Sequence, residues 1–355
     1  GDQLLVEVGA RLSATMRAGD TVGRMSGDEF VVLVEDPSAA ERVETVADRI
    51  LDALTSPFEI NGSATPQWVT VSVGIAEGAR ATAEELLQDA DIALYQAKAT
   101  GKQHAAVFSR SMQETLDDRR SIEIDLHAAL GADQYFVRYR PTTDLATRQV
   151  AGVEALLAWL HPERGIVPPA TFAPVLESTG LGVPVGRWLL RTACHQGAAW
   201  HRQGRMLTVS VGVSADHVRQ DSFVDDVGDA LSASGFDPGH LTIAFAENLL
   251  TQDTPATVAQ LDDLREMGVR IALGELETGV SFLTVLQRYP IDILTVDRSL
   301  VAGTTGPGAP GAMEETLTQL GRVFSLDVVV EGDHPGHAVS GGTSADGPVA
   351  VPSGS

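Results

Sequence analysis

The sequence predicts an α/β protein of two domains, the second built from parallel strands under covering helices. Three observations carry that expectation. The chain is 355 residues long, 43% hydrophobic and 21% charged, enough for two separate cores. From Tyr135 onward, short apolar runs alternate with helical stretches, the pattern of parallel strands joined by crossover helices. Ahead of them, apolar runs flank a short polar tip, Ser26-Gly-Asp-Glu29, which reads as a hairpin.

Taken in order, the hairpin comes first. Ser26-Gly27 supplies a turn poor in side chains, and Gly27 accepts backbone angles that a Cβ resists. Asp28 and Glu29 sit at the tip, where hard oxygen ligands can hold Mg²⁺ against a nucleotide's phosphates. Phe30–Val34 reads as a buried strand leading away. Residues 108–130 read as one amphipathic helix, with Met112, Leu116, Ile122, Leu126 and Leu130 on its apolar stripe. It joins the domains, and either pairs with a second copy or packs on its own domain. After Gly131, strands are expected at Tyr135–Arg140, Val150–Leu156, Leu207–Val213, Leu241–Ala246, Arg270–Leu273, Ile293–Val296 and Asp327–Val330. Helices fall between most of them, notably Pro184–Gln203 and Ala256–Met267. An open sheet and a β/α barrel both fit this alternation. Gly303–Gly311 reads as a flexible loop, and residues 337–355, rich in Gly, Ser and Pro, as a flexible tail. His334 and His337 are too few to suggest a metal site.

Composition narrows the function. Formal net charge is −23, from 48 acidic against 25 basic residues, which repels nucleic acid and anionic lipid. A dinucleotide would bind only where local cations or a metal receive it. No run reaches the length of a membrane span and no signal peptide is visible; the segment is expected to be cytoplasmic, without membrane contact, with an upstream membrane or sensor segment left open for a longer parent. The single cysteine, Cys194, excludes an internal disulfide and suits a reducing compartment. It reads as a small buried hydrophobe on a helix rather than a nucleophile.

The hairpin Arg24–Glu35 resembles the signature of the GGDEF family, diguanylate cyclases that condense two GTP into cyclic di-GMP; Ser26 stands at the first glycine. Five residues separate Arg17-Ala-Gly-Asp20 from Ser26, the spacing of that family's RxxD inhibitory site. There the arginine forks onto a guanine or phosphate of cyclic di-GMP and the aspartate binds a guanine edge. Val69–Ala76 resembles the family strand "vtvSiGia". Asp89–Lys98, followed by Gly101-Lys102, resembles "AD.ALY.AK..GR". The resemblance implies that Asp28 and Glu29 are catalytic and bind Mg²⁺ or Mn²⁺, with Asp28 beside the reacting 3′-hydroxyl. It implies that Asp2, Ser26, Gly27, Lys98 and Lys102 belong to the substrate site, Lys98 on a phosphate and Lys102 in place of the usual arginine. Outside that frame, Arg17 and Asp20 are an ordinary surface pair and the two lysines a solvated helix face. The resemblance covers residues 1–107. The family's first strand, with its metal-binding aspartate, and its "FK.IND" segment precede everything matched here, so an incomplete α+β domain and a longer parent protein are expected.

Glu154-Ala-Leu at the second strand of the later region, with His161-Pro-Glu-Arg-Gly-Ile-Val-Pro-Pro169, Phe172, Glu177 and Gly180-Leu181, resembles EAL domains, the cyclic di-GMP phosphodiesterases. This likeness spans 131–336 and implies a (β/α)8-type barrel. The final "QGY…P" strand is missing, so the barrel is expected to lack its last strand. By the resemblance, Glu154, Glu247 and Glu331 keep metal-site glutamates, and Asp297 keeps the aspartate of "LKID". Gly212 replaces an asparagine ligand, Gly274 a bridging aspartate, and Glu275 the next aspartate with a longer arm. Thr295 replaces the lysine that positions water, Ala158 a phosphate-binding arginine, Arg140 the glutamine of "YQP", and His334 a second glutamate. Loss of one such group costs about 10²–10³ in rate, and several are gone together. The expected whole is a cyclic di-GMP signalling protein with a cyclase-type first domain and a barrel without phosphodiesterase activity. Its partners are GTP, cyclic di-GMP and a second copy of the chain, through either domain. The alternative is a non-enzymatic cyclic di-GMP receptor or protein-interaction scaffold.

Overall fold

A computed structural model describes residues 2–35, 43–59, 65–101, 103–251, 255–274, 281–302 and 312–331. Lys102, Glu275, the 303–311 loop, His334, His337 and the 337–355 tail lie outside the described residues. The chain divides into two compact units, Gly1–Ser121 and Ile122–Ser355.

The first unit runs α1 (Asp2–Thr15), β1 (Thr21–Ser26), β2 (Glu29–Leu33), α2 (Val43–Thr55), β3 (Val73–Ile75), α3 (Ala83–Ala99) and β4 (Ala105–Val107). Its core joins Val8 and Leu12 of α1 to Val46, Ile50 and Leu54 of α2, with Phe58 beneath them. Arg11 lies over the Phe58 ring at 3.8 Å and donates to Ser56 O and Pro57 O, so its stem packs while its charge is satisfied. Helix α3 starts in a reciprocal cap. The Thr82 hydroxyl accepts from the Glu85 amide, and the Glu85 carboxylate accepts from the Ala81 amide. Gly74 of β3 is required by close packing: a Cβ there would stand 2.1 Å from Ala90 O of α3.

Two strand expectations need correction in this unit. The strand expected over Val69–Ala76 forms a ladder only at Val73–Ile75, because its parallel partner β4 is three residues long and, among the described residues, no other strand pairs with it. Strand β2 is half-buried rather than buried, with Leu33 47% exposed, since it pairs only with β1 in a two-stranded antiparallel sheet.

Helix α4 (Arg110–Ala129) spans the boundary between the units. Ile122, Leu126 and Ala129 on it are buried, at helical spacing.

The second unit continues with β5 (Tyr135–Asp144), β6 (Val150–His161), β7 (Gly165–Val167), α5 (Pro169–Thr179), α6 (Gly182–Arg202), β8 (Thr208–Gly212), α7 (Ala215–Val218), α8 (Phe223–Ser234), β9 (Leu241–Ala246), α9 (Glu247–Thr251), α10 (Pro255–Glu266), β10 (Arg270–Gly274), α11 (Ser281–Arg288), β11 (Ile293–Asp297), α12 (Arg298–Ala302), α13 (Ala312–Phe324) and β12 (Asp327–Glu331). The sheet order is β5-β12-β11-β10-β9-β8-β6-β7, and β5 also pairs with β6. Seven strands therefore close into a ring, with β7 attached to β6 outside it. A barrel rather than an open sheet is the outcome, and among the described residues seven strands close it. Strands β6, β8, β9, β10, β11 and β12 run parallel; β5 is antiparallel to both its neighbours. Closure at β12–β5 is short, resting on Val329↔Asp144 and Val330↔Thr143, plus the Leu145 amide on Val328 O at 2.9 Å. Around the ring, α6 buries Leu189, Leu190, Ala193, Cys194 and Trp200, and Phe223, Phe245 and Leu294 complete one continuous core.

Candidate functional site

At the hairpin, Gly27 and Asp28 form a two-residue connection, with Gly27 at φ +48°. Glycine tolerates that angle where other residues are strained. The Arg24 guanidinium donates twice to Gly27 O, at 3.0 and 2.7 Å, which braces the turn. Asp28 and Glu29 are both exposed, and the Ser26 hydroxyl donates to Glu29 Oε2 at 3.2 Å. The serine at the first signature position thus gives Glu29 a partner that glycine could not. Adjacent exposed carboxylates suit Mg²⁺ or Mn²⁺, which take oxygen ligands and commonly complete their shell with water and substrate phosphate. They supply part of a shell. Among the described residues no group of three or more His, Cys, Asp or Glu side chains is placed to hold a metal.

Arg17 and Asp20 face each other across the turn between α1 and β1. The Asp20 carboxylate accepts from the Arg17 backbone amide at 2.9 Å, and the Asp20 amide donates to Arg17 O at 3.0 Å. The Asp20 side chain therefore already shapes this turn. Asp2 opens α1 and is exposed; Lys98 is exposed in the last turn of α3.

In the barrel, the ends of the parallel strands gather the second set. Glu154 lies opposite Ser210 near the end of the β6–β8 ladder. Glu247 begins α9 directly after β9 and is 2% exposed. Asp297 and Glu331 end β11 and β12 and are in register with each other. Gly212 and Gly274 end β8 and β10, and neither carries a ligating atom. Thr295 faces the barrel interior, 6% exposed. Ala158 is buried on β6, opposite Phe136 of β5. The interior below holds a cavity of ≈ 60 Å³ lined by Thr142, Ser210, Thr242, Thr295 and Glu331 among others. Pockets for drug-sized ligands are roughly 300–1,000 Å³, so a dinucleotide would have to lie across the rim.

One side chain organises this mouth. Arg140, on β5, donates through Nε and Nη2 to Glu154 Oε2 at 2.9 and 2.5 Å, and through Nη2 to Glu331 Oε2 at 3.3 Å. Burial alone pulls the arginine's pKa down. The charge and hydrogen bonds of Glu154, then the charges of Glu331 and Asp297, outweigh that and raise it. Asp297 is held below the usual carboxylate range, chiefly by hydrogen bonds from Ser299, whose amide donates to Oδ1 at 2.7 Å; it serves as the cap of α12. These residues do not fit a binuclear metal centre. A guanidinium already lies between two of the carboxylates, and two neighbouring strand ends are glycine. Sequence reasoning named Arg140 only as a departure from a motif. That it pairs with Glu331, 191 positions away, depends on closure of the ring.

Known proteins agree with this architecture. The EAL domain family matches residues 123–332, and the family described as diguanylate cyclase, GGDEF domain, matches residues 1–104. The chain is 33% identical over 333 residues to the bifunctional diguanylate cyclase/cyclic di-GMP phosphodiesterase MucR of Pseudomonas aeruginosa, covering 94% of this chain and 48% of MucR. It is 32% identical to the cyclic di-GMP phosphodiesterase NbdA of the same organism, covering 94% of this chain and 42% of NbdA. The chain thus spans less than half the length of either relative. The solved PaMucR phosphodiesterase in its c-di-GMP complex superimposes with a TM-score of 0.55 at 30% identity, over 60% of this chain and 94% of that one. Among the described residues no helix is long and apolar enough to cross a membrane. The chain belongs to the EAL domain family and carries a short GGDEF domain in tandem ahead of its barrel.

Proposed function

We propose that this chain is part of a cyclic di-GMP signalling protein whose barrel does not hydrolyse the dinucleotide and whose GGDEF unit is of the diguanylate cyclase type. The observation that carries the barrel reading is the chemistry of its strand ends: Gly212 closes β8, Gly274 closes β10, and Thr295 lines β11. Two-metal hydrolysis of a phosphodiester needs ligands that hold both ions and orient the attacking water. Glycine supplies no ligand, and a threonine supplies no positive charge.

For the GGDEF unit, the hairpin carboxylates are exposed and braced, as a site that receives a nucleotide's phosphates requires. When bound, Mg²⁺ or Mn²⁺ would offset triphosphate charge. Asp28 and Glu29 would hold the ion and Lys98 would steady a phosphate. Two such units, each bringing one GTP, would have to meet. Arg17 and Asp20 would form the product-binding RxxD site, in which Asp20 keeps its backbone bond to Arg17 while a ligand guanine approaches its free edge. The second reading, a non-enzymatic receptor or scaffold, is favoured by the partial ligand set at the hairpin.

One assay series tests these statements. Purified chain incubated with cyclic di-GMP and Mn²⁺ should release no linear dinucleotide. Hydrolysis abolished by Glu154→Ala would refute the barrel reading. The longer protein containing this chain should convert GTP to cyclic di-GMP, and Asp28→Ala should lower that rate on the order of 10²-fold or more. No turnover leaves the receptor reading standing in its place, whereas turnover indifferent to Asp28→Ala refutes the role given to Asp28.

A further inference from the structure

We propose that Arg140 is the resident cation of the barrel mouth: its guanidinium takes the place of a divalent metal between Glu154 and Glu331, and leaves the EAL unit indifferent to divalent ions. The proposal rests on the reading of the mouth as non-hydrolytic but goes beyond it, because a barrel can fail to hydrolyse and still bind metal.

Geometry is the first support. Both Glu154 contacts fall on one carboxylate oxygen, and the same Nη2 turns toward Glu331. The guanidinium therefore bridges carboxylates from strands on either side of β5. Its side chain is 29% exposed, and those of Glu154 and Glu331 are 16% and 20% exposed, so water screens these pairs less than it does a surface pair. A divalent ion seeking the same oxygens would have to displace a covalently tethered charge, whose local concentration no free ion matches.

The second support is the surrounding space. A Cβ built on Gly212 meets nothing within 4 Å, and one on Gly274 meets only Thr295 Cβ at 3.7 Å, an ordinary contact. The backbone of the mouth thus leaves room at both glycines. What distinguishes the mouth is its side chains, Arg140 foremost. Without that cation, Glu154 and Glu331 would face each other near Asp297 with no compensating charge from β5. The Glu154–Glu331 pair alone, with water completing the shell, then offers a hard divalent ion two carboxylates.

The test uses the full chain carrying Asp28→Ala and Glu29→Ala, so that the hairpin contributes no metal binding, and Mn²⁺ alone as the probe. Free Mn²⁺ is read by electron paramagnetic resonance and stability by thermal melting. In about 150 mM NaCl, where net repulsion is already largely screened, millimolar Mn²⁺ should shift neither readout with Arg140 present. Arg140→Gln should melt at a lower temperature without metal, recover on adding Mn²⁺, and bind Mn²⁺ on the order of tenfold or more tighter. That gain should vanish when Glu154→Gln is added. Arg140→Lys, which keeps charge but not the fork, should remain indifferent to Mn²⁺. Two results overturn the proposal: Mn²⁺ binding by the Arg140 chain that Glu154→Gln removes, or a folded Arg140→Gln chain that gains no response to Mn²⁺. Should Arg140→Gln not fold, the first result still decides. Metal binding without cyclic di-GMP hydrolysis would sink this proposal alone and leave the non-hydrolytic reading intact.

Discussion

His217 is 1% exposed, and its Nε2 meets Asp226 Oδ2 at 3.1 Å. Arg187 donates to the same oxygen at 2.6 Å and, through Nη2, to Ser222 Oγ at 2.8 Å. The cluster ties α7 to α6 and α8. Burial lowers the His217 pKa below its ordinary value of 6.5; the hydrogen bond and charge of Asp226 pull it up without winning, and Arg187 adds to the lowering. The unfolded chain therefore takes up this proton before the folded one does. The contribution is whole above pH 6.5 and is lost as pH falls from there through the folded value. Urea midpoints measured at successive pH values from neutral downward should decline, and His217→Gln should flatten the decline although it weakens the fold at neutral pH. An unchanged slope in the variant would mean that other groups set it. None of this could be read from the sequence, where His217 is one polar residue among many. Cys194, by contrast, was legible: it is fully buried on α6 and burial pushes its thiol up to about 12, which makes it the inert small hydrophobe expected.

Among the elements, legibility followed the ladder. Strand β9 was expected over Leu241–Ala246 and forms there, because a mostly apolar run lies between two parallel neighbours and passes directly into α9. Strand β6 runs on from the expected Leu156 to His161, since β5 and then β7 offer antiparallel partners past the end of the parallel ladder. Pairing partners, not composition, decide such boundaries. At the barrel mouth the same holds: Glu154, Glu247, Asp297 and Glu331 were legible as motif positions, whereas the guanidinium between two of them required the ring. In the first unit, Gly74 is where an element depends on a single atom. Its would-be Cβ falls 2.3 Å from Leu94 N as well as 2.1 Å from Ala90 O, and backbone cannot yield as a side-chain tip can. Gly74→Ala should force α3 off β3 and cost about 1–3 kcal/mol or more, read as a lower denaturant midpoint. The control is Gly23→Ala on β1, where a Cβ meets nothing within 4 Å; a loss there equal to that at Gly74 would defeat the packing argument.

Across the whole chain, 48 acidic residues against 25 basic ones leave a formal charge of −23. Two effects of salt then compete. Screening weakens ion pairs such as Arg270–Asp327 and Arg80–Asp89, but these are partly exposed, and such pairs contribute only ~0–1 kcal/mol each. Screening also weakens repulsion among the unpaired acids, which acts on the folded state more strongly because folding crowds them together. With roughly twice as many acids as bases the second effect is the larger. At a Debye length of about 10 Å in 0.1 M salt, repulsion between acids farther apart than that is largely removed, while close pairs such as Arg140–Glu154 keep most of their attraction. The melting temperature should therefore rise as NaCl is raised from about 10 to about 150 mM, most of the gain coming within that Debye regime. A fall over the same range would show that ion pairs, not net repulsion, dominate the electrostatic contribution to the fold.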